Sequence, residues 1–133
     1  MMRRLLVLVV VCCACKDSVI PVGTIRGTYT LRTVDGNPLP YTLSQTTGSA
    51  TVIVADSITL MESSIYHEGG TRSVTTNGVT TTSPAADYGD YALLSTSLTL
   101  HSNADNSTRT GTLDGNTMTV LVPPHVEVYK KLN

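Results

Sequence analysis

The chain has 133 residues, of which 41% are hydrophobic and 14% are charged, with a formal net charge of −1. This is the length of one domain, and removal of a leader that carries Arg3 and Arg4 leaves seven cations against ten anions. The acidic balance excludes the basic surface that marks nucleic-acid-binding proteins. There is no Trp and no Phe, and the abundant Thr and Ser favour strands over helices.

The first 15 residues have the layout of a secretory leader. Met1 to Arg4 form a short cationic start, and Leu5 to Cys15 are uncharged and largely aliphatic. At a rise of about 1.5 Å per residue, this uncharged stretch is too short for the ~30 Å hydrocarbon core of a bilayer. We therefore predict a signal peptide over residues 1–14 and no transmembrane anchor.

All three cysteines lie at the end of this leader, in Cys12-Cys13-Ala14-Cys15. A small residue directly before a cysteine resembles the lipobox of bacterial lipoproteins, in which that cysteine carries a diacylglycerol and becomes the mature N-terminus. The resemblance implies lipidation of Cys15, with Cys13 as the alternative, and a lipid-bearing tether over residues 15–23. It also implies a place in the cell envelope, at the outer membrane or the periplasmic face. The rest of the chain has no cysteine, so its stability must come from a hydrophobic core.

From Thr24 onward the pattern is that of short strands separated by turns. No window shows apolar residues at helical spacing over ten positions. Asn77-Gly78 is a strong hairpin signal, and turns are also predicted at Asp35 to Pro38, at Asp56-Ser57, at Glu68 to Gly70 and at Ser83 to Ala86. Leu39–Leu43 is either a strand or an extended crossing segment. The other predicted strands are Thr24–Val34, Thr51–Ala55, Ile58–His67, Arg72–Thr76, Val79–Thr82, Tyr88–Leu93, Ser97–His101, Thr108–Leu113, Thr117–Val122 and Val126–Leu132.

These strands must be antiparallel neighbours, because their connections are too short for parallel crossovers. About eight to ten such strands leave two sheet edges, and closure into a barrel removes both. We therefore predict an all-β, up-and-down β-barrel over residues 24–133. A two-sheet sandwich is the alternative, because the hydroxyl-rich region near Val74 to Thr82 could form an exposed edge.

Several segments of the chain resemble small lipocalin-like, or calycin-type, domains of bacterial lipoproteins. They are Gly27 to Leu31 with Val34 to Pro40, Asp87 to Tyr91, Leu113 to Val120, and Val126 to Lys130. The resemblance implies a meander barrel. Lipocalins carry Gly-x-Trp on the first strand, where the aromatic ring packs across the barrel base under a later Arg. Gly27-x-Tyr29 occupies the corresponding place in this chain.

The sequence offers few groups for catalysis or metal binding. Its three histidines have none of the spacings that place two ligands on one face of an element; they are His67, His101 and His125. No phosphate loop, nucleophile elbow or zinc-protease motif is present. Asp87 and Asp90 are expected to point to opposite faces of a strand and to be solvated. We therefore predict no enzyme activity, no metal and no cofactor.

The barrel interior is the remaining place for a function. An eight-stranded barrel is either filled by its own side chains or encloses one small ligand, and the absence of Phe and Trp leaves both readings open. The inward positions predicted from alternation are Ile25, Tyr29, Leu31, Leu60, Tyr91, Leu93, Leu98, Leu100, Met118, Val120, Val126 and Val128.

A ligand cavity and a filled core lead to two hypotheses for the function. The first is a membrane-anchored barrel that holds a small apolar or amphipathic molecule between Tyr29, Leu31, Tyr91, Leu98, Leu100 and Met118. The second is a structural or interaction lipoprotein with a packed, ligand-free core, whose outer surface and loops carry the function. The predicted partners are the membrane, through the acyl anchor, and a small hydrophobic ligand, but no nucleic acid.

Overall fold

The computed structural model describes residues 25–133, which contain ten antiparallel strands. A 3₁₀ turn, Glu62–Ser64, joins the fourth strand to the fifth. The predicted signal peptide, Cys15 and the tether over residues 15–23 lie outside the described residues. The strands are β1 Gly27–Val34, β2 Asn37–Pro38, β3 Tyr41–Thr46, β4 Ser49–Leu60, β5 Ile65–Thr76, β6 Val79–Leu94, β7 Ser97–Ser102, β8 Thr108–Asp114, β9 Thr117–Val122 and β10 His125–Lys131.

Pairing of β1 with β4 closes the sheet into a barrel. β1 also pairs with β10, and from β10 each strand pairs with the preceding one back to β4, so that eight strands form the wall. β2 and β3 are additional strands at the two ends of this order. The predicted all-β meander barrel is therefore confirmed. The sandwich alternative is wrong, because Gly27 to Thr30 pair with Ser57 to Leu60 where a sandwich would leave two edges.

Two turns that the sequence predicts occur with the backbone geometry that hairpins need. Asn77 and Gly78 have φ values of 51° and 79°, and Asp35 and Gly36 have values of 52° and 77°. Two consecutive left-handed residues form the turn whose twist matches that of the flanking strands, and Asn, Asp and Gly tolerate this conformation. These short signals therefore place the ends of β1 and β5 correctly.

The turn predicted at Asp56-Ser57 is wrong, because both residues lie within β4. The strand bends through a bulge between Ile53 and Ala55 instead, where its register with β5 shifts by one residue. A bulge turns a strand without interrupting its pairing. The chain reverses only after Leu60, at the 3₁₀ turn.

The turns predicted around Gly70 and Pro84 are also wrong, because these residues lie inside β5 and β6 and are paired there. A Cβ atom on Gly70 would stand 2.7 Å from the carbonyl oxygen of Ala55. The glycine therefore allows a close approach of two strands rather than a reversal. Pro84 lies opposite Thr71 in the unbroken ladder between β5 and β6. On its other edge, β6 has no partner in β7 from Val79 to Pro84.

β4, β5 and β6 are longer than the barrel wall and continue beyond it together with β3. β6 pairs with β7 only from Gly89 to Leu94, whereas its pairing with β5 runs back to Val79. We call the protruding part the sheet extension. It comprises Tyr41–Thr46, Ser49–Ile53, Arg72–Thr76 and Val79–Ser83.

An apolar core fills the end of the barrel at which β1 begins. Tyr29 is fully buried there, and its hydroxyl donates to the carbonyl oxygen of Ile25 at 2.7 Å. The Nζ atom of Lys131 stands 5.9 Å from the centre of the Tyr29 ring, a cation–π arrangement. A buried aromatic ring on the first strand beneath a later cation is compatible with a lipocalin-like barrel.

Candidate functional site

The six side chains predicted to hold a ligand are all buried, with exposed fractions from 0 to 7%. They are Tyr29, Leu31, Tyr91, Leu98, Leu100 and Met118, and all belong to one apolar cluster. Neighbouring members of this cluster include Leu60, Leu113 and Val120. The predicted inward orientation of the six residues is therefore confirmed, whereas their role as ligand contacts stays a prediction.

The inward set is wrong for β10, where Val126 and Val128 do not enter the core. Glu127 and Tyr129 are buried instead, and Val126 is 37% exposed. The register explains this, because Glu127 lies opposite Val120 and Tyr129 opposite Met118 on β9. Directly opposed residues of an antiparallel pair project from the same face, so the buried positions of β9 bring an acid and a tyrosine inside.

Charged side chains occupy the other end of the barrel interior. Arg109 of β8 donates hydrogen bonds to Glu68 of β5 and to Asp87 of β6, the latter at 3.2 Å. Asp87 also accepts from the hydroxyls of Tyr66 and Ser102, each at 2.7 Å. Four strands thus contribute to one network, in which Arg109 and Glu68 keep only 15% and 11% of their side-chain surface exposed.

Three further ionisable residues lie close enough to this network to interact with it electrostatically. Arg72 donates to Asp56 at 2.6 Å, and Asp56 is 3% exposed. Glu127, which is 4% exposed, accepts a hydrogen bond from the hydroxyl of Tyr129 at 2.7 Å. We call Asp56, Glu68, Arg72, Asp87, Arg109 and Glu127 the charged cluster. With every member ionised, it holds four negative charges and two positive ones.

The surroundings shift the pKa values of these carboxyls in different directions. Burial raises the pKa of Glu68 and of Glu127, despite the opposing contributions of Arg109 and of the Tyr129 hydroxyl. Burial would also raise the pKa of Asp87, but the hydrogen bonds from Ser102 and Tyr66 outweigh it and lower that pKa. Environments that separate the pKa values of neighbouring acids are typical of functional sites.

A cleft with a volume of about 490 Å³ opens beside the charged cluster. Its charged lining comes from Glu68, Asp87, Asp105 and Arg109, and its apolar lining comes from Ala86, Ala104, Val122 and Pro123. The turns that follow β7 and β9 contribute to it, so the cleft lies at the end of the barrel opposite the start of β1. We call it the mouth cleft.

None of the three histidines lines the mouth cleft, although His101 interacts with the lining residue Thr108. His67 and His101 are exposed, and His67 lies within β5, where the sequence predicted a turn directly after it. His125 interacts through Nδ1 with Asp35 at 2.8 Å, and this hydrogen bond, together with those from the Tyr41 hydroxyl and the Val126 N–H, lowers the pKa of Asp35 to about 2. Within residues 25–133, no three or more His, Cys, Asp or Glu side chains are arranged to hold a metal ion.

Sequence reasoning missed most of the charged cluster. Asp87 was expected to be solvated, yet it points inward, and only Asp90 is exposed as expected. The alternation along each strand could have revealed these inward positions. Glu68 lies on the same face of β5 as the buried Tyr66, and Arg109 lies on the same face of β8 as the buried Leu113. The two-residue period of the strands favoured an inward position for Glu68 and Arg109, but their charge favoured an outward one.

Comparisons with protein-family models, with curated proteins and with solved structures found no match for this chain. The class of this protein is therefore given by its fold, which is an antiparallel barrel of eight strands with two additional strands. Among residues 25–133, no helix is long and apolar enough to cross a membrane.

Replacement of Glu127 by Gln is expected to stabilise the protein at pH 7 by on the order of 1 kcal/mol. The amide oxygen of Gln can still accept the Tyr129 hydroxyl, whereas the buried negative charge is removed. Because the pKa of Glu127 is higher in the folded chain than in the unfolded chain, its destabilising effect grows as the pH rises through that folded pKa. Urea unfolding at several pH values should therefore show a difference between the two proteins that shrinks at low pH.

Glu62→Gln is the matched control for this prediction. Glu62 is 81% exposed in its pair with Arg26, so its replacement should change stability little at any of these pH values. A destabilised Glu127→Gln protein would show that Glu127 is held by donors stronger than the Tyr129 hydroxyl.

Proposed function

We propose that this protein is an exported, lipid-anchored binding module that takes up a small amphipathic molecule in the mouth cleft. The observation that carries the proposal is the charged cluster inside the barrel, next to an accessible cleft. Burial of ionised groups is costly, and well-packed apolar residues of similar volume often give equal or greater stability. A charged barrel end that opens into a cleft is therefore better explained by recognition than by folding.

The chemistry of the cleft fits an amphipathic ligand. Its volume lies within the usual range of small-molecule sites, and such sites combine apolar walls with a few polar groups that fix orientation. Val122 and Pro123 offer an apolar wall, while Glu68 and Asp87 offer hydrogen-bond acceptors and Arg109 offers donors. The buried residues around Tyr29 then serve mainly as the rigid base that supports this end.

Native mass spectrometry of the full chain, purified from its own host in detergent, tests this proposal. We expect a co-purifying small molecule on the wild-type protein and its loss from Ala104→Trp, in which an indole fills the mouth cleft without altering the charged cluster. Ala92→Trp is the control, because Ala92 is an exposed residue of β6 that does not line the cleft. A wild-type protein without any adduct, or the same adduct on both Trp variants, would contradict the proposal.

The anchor is tested separately through its chemistry. Cells that grow on a fatty-acid analogue should label the wild-type protein, and Cys15→Ser should abolish the label while Cys13→Ser retains it. A membrane-bound protein that keeps its label in Cys15→Ser would place the modification on Cys13. An unlabelled wild-type protein would contradict lipid anchoring and leave the cleft proposal untouched.

A further inference from the structure

Three strand edges within residues 25–133 lack a partner strand, and they differ in how they resist pairing. β2 has only two residues, one of which is Pro38. β3 carries a bulge between Thr42 and Ser44, where its register with β4 shifts. β6 differs from both, because its register with β5 is unbroken over twelve residue pairs from Val79 to Asp90. Short length and bulges are the usual protections of an edge, and the β6 edge has neither.

The geometry of the β5–β6 hairpin shows which backbone groups face outward on this edge. The two-residue turn at Asn77-Gly78 makes Thr76 and Val79 a hydrogen-bonded pair, and such pairs alternate with non-hydrogen-bonded ones along the ladder. Thr80 and Thr82 therefore direct their N–H and C=O groups away from β5. Residues Val79 to Pro84 are all exposed, and Val79 is 69% exposed.

Charge does not protect this edge either. No residue from Ser73 to Ala86 is charged, and none from Gly36 to Ala55 is charged, so Arg72 is the single charged residue of the sheet extension. Native proteins commonly place Lys or Glu on exposed edges to prevent pairing with another chain. The sheet extension therefore presents a neutral, regular edge to solvent.

We propose that the β6 edge is an interface at which two copies of this chain pair antiparallel about a two-fold axis through Thr81. In this register Thr80 of one copy pairs with Thr82 of the other, and the reverse, which gives four backbone hydrogen bonds. Pro84 lies outside these pairs, and because it has no N–H it limits further extension of the ladder. This pairing uses the β6 edge of both copies, so neither edge remains for a third copy and the assembly is a closed dimer.

A second copy fits this edge better than a charged peptide would. The edge has no charge with which to attract one, whereas an identical neutral strand brings no unpaired charge into the interface. Cross-strand hydroxyl pairs already join neighbouring strands of this chain, at Thr75 and Thr80 in the sheet extension (2.8 Å) and at Thr28 and Thr59 in the barrel wall (3.0 Å). Two opposed β6 edges extend this pattern across the interface. The dimer leaves the charged cluster untouched and does not depend on ligand binding.

Sedimentation velocity of the full chain in detergent, corrected for bound detergent, tests the proposal. We expect two copies in the wild-type particle and one copy in Thr82→Lys, because a lysine on each edge places like charges at the interface. Thr112→Lys is the control, since Thr112 is exposed on β8, whose two edges are both paired. A monomeric wild type, a dimer that survives Thr82→Lys, or a particle containing another protein would overturn the proposal.

A cross-link tests the register independently of particle mass. Opposed residues of a non-hydrogen-bonded pair lie close enough for a disulfide, so Thr81→Cys should cross-link to its own copy under mild oxidation. The variant is made with Cys12 and Cys13 replaced by Ser, and Thr112→Cys in the same background is the control. Absence of the Thr81→Cys dimer, or equal cross-linking of the control, would overturn the proposed register.

Discussion

Replacement of Arg109 by Met is expected to lower the free energy of unfolding at pH 7 by about 3 kcal/mol or more. The guanidinium donates to Glu68 and Asp87, and all three side chains are at least 79% buried. Methionine fills a similar volume, so the dominant loss is that of the positive charge, which leaves two carboxylates in a poorly solvated interior. Urea unfolding followed by circular dichroism measures the effect.

The pH dependence of this variant identifies the cause of the loss. Burial raises the pKa of Glu68 even with Arg109 present, so removal of the cation should raise it further. Protonation of Glu68 then removes the unpaired charge, and the destabilisation should decrease as the pH falls toward 5. The double variant Glu68→Gln/Arg109→Met should recover a large part of the loss at pH 7.

Arg26→Met provides the comparison for Arg109→Met. Its partner Glu62 is 81% exposed, so we expect a loss below about 1 kcal/mol for that pair. Equal losses in the two variants, or a loss at Arg109 that does not depend on pH, would show that Arg109 does not compensate the buried charge of Glu68 and Asp87.

Gly89→Ala is expected to prevent folding of the barrel or to lower its stability by more than about 3 kcal/mol. A Cβ atom at this position would stand 1.9 Å from the carbonyl oxygen of His101 on β7, and a backbone atom cannot move away as a flexible side chain can. Gly111 on β8 is in the same situation, 1.9 Å from the carbonyl oxygen of Thr119. Both glycines therefore allow the backbone of a neighbouring strand to approach closely.

Gly69→Ala is the matched control on the adjacent strand. Nothing lies within 4 Å of its Cβ position, and its φ lies outside the left-handed region. We expect no loss and a gain of up to about 1 kcal/mol, because alanine reduces the freedom of the unfolded chain. Thermal unfolding of the wild type, Gly89→Ala and Gly69→Ala measures these effects. A soluble, fully stable Gly89→Ala protein would contradict the close approach of β6 and β7.

The fold was predictable because its strand periods and most of its turns depend on local chemistry. Asn77-Gly78 and Asp35-Gly36 reverse the chain through conformations that few other residues adopt easily. Gly70 and Pro84 led to wrong turn predictions, because glycine also occurs where two strands approach closely and proline also occurs on an unpaired strand edge. Local sequence does not distinguish these uses, since they depend on which strand lies alongside.

The apolar base of the barrel was predictable from alternation, but its charged end was not. Tyr29 and Met118 combine apolar character with the right period, so both signals agree. At Glu127 and Arg109 the two signals disagree, and the choice depends on partners that lie far away in the sequence, such as Glu68 for Arg109. Pairing across 41 residues is a product of barrel closure, which sequence spacing alone does not supply.

The direction of the first strand has a consequence for how an anchored protein would be oriented. β1 begins at the base of the barrel, beside Tyr29, and ends at Val34, which lies opposite Glu127 near the charged end. With the acyl group proposed at Cys15, the membrane attachment would join the barrel at its base, and the mouth cleft would lie at the opposite end. Water-dispersed molecules would then reach the cleft directly, whereas a lipid embedded in the same membrane leaflet would first have to leave it.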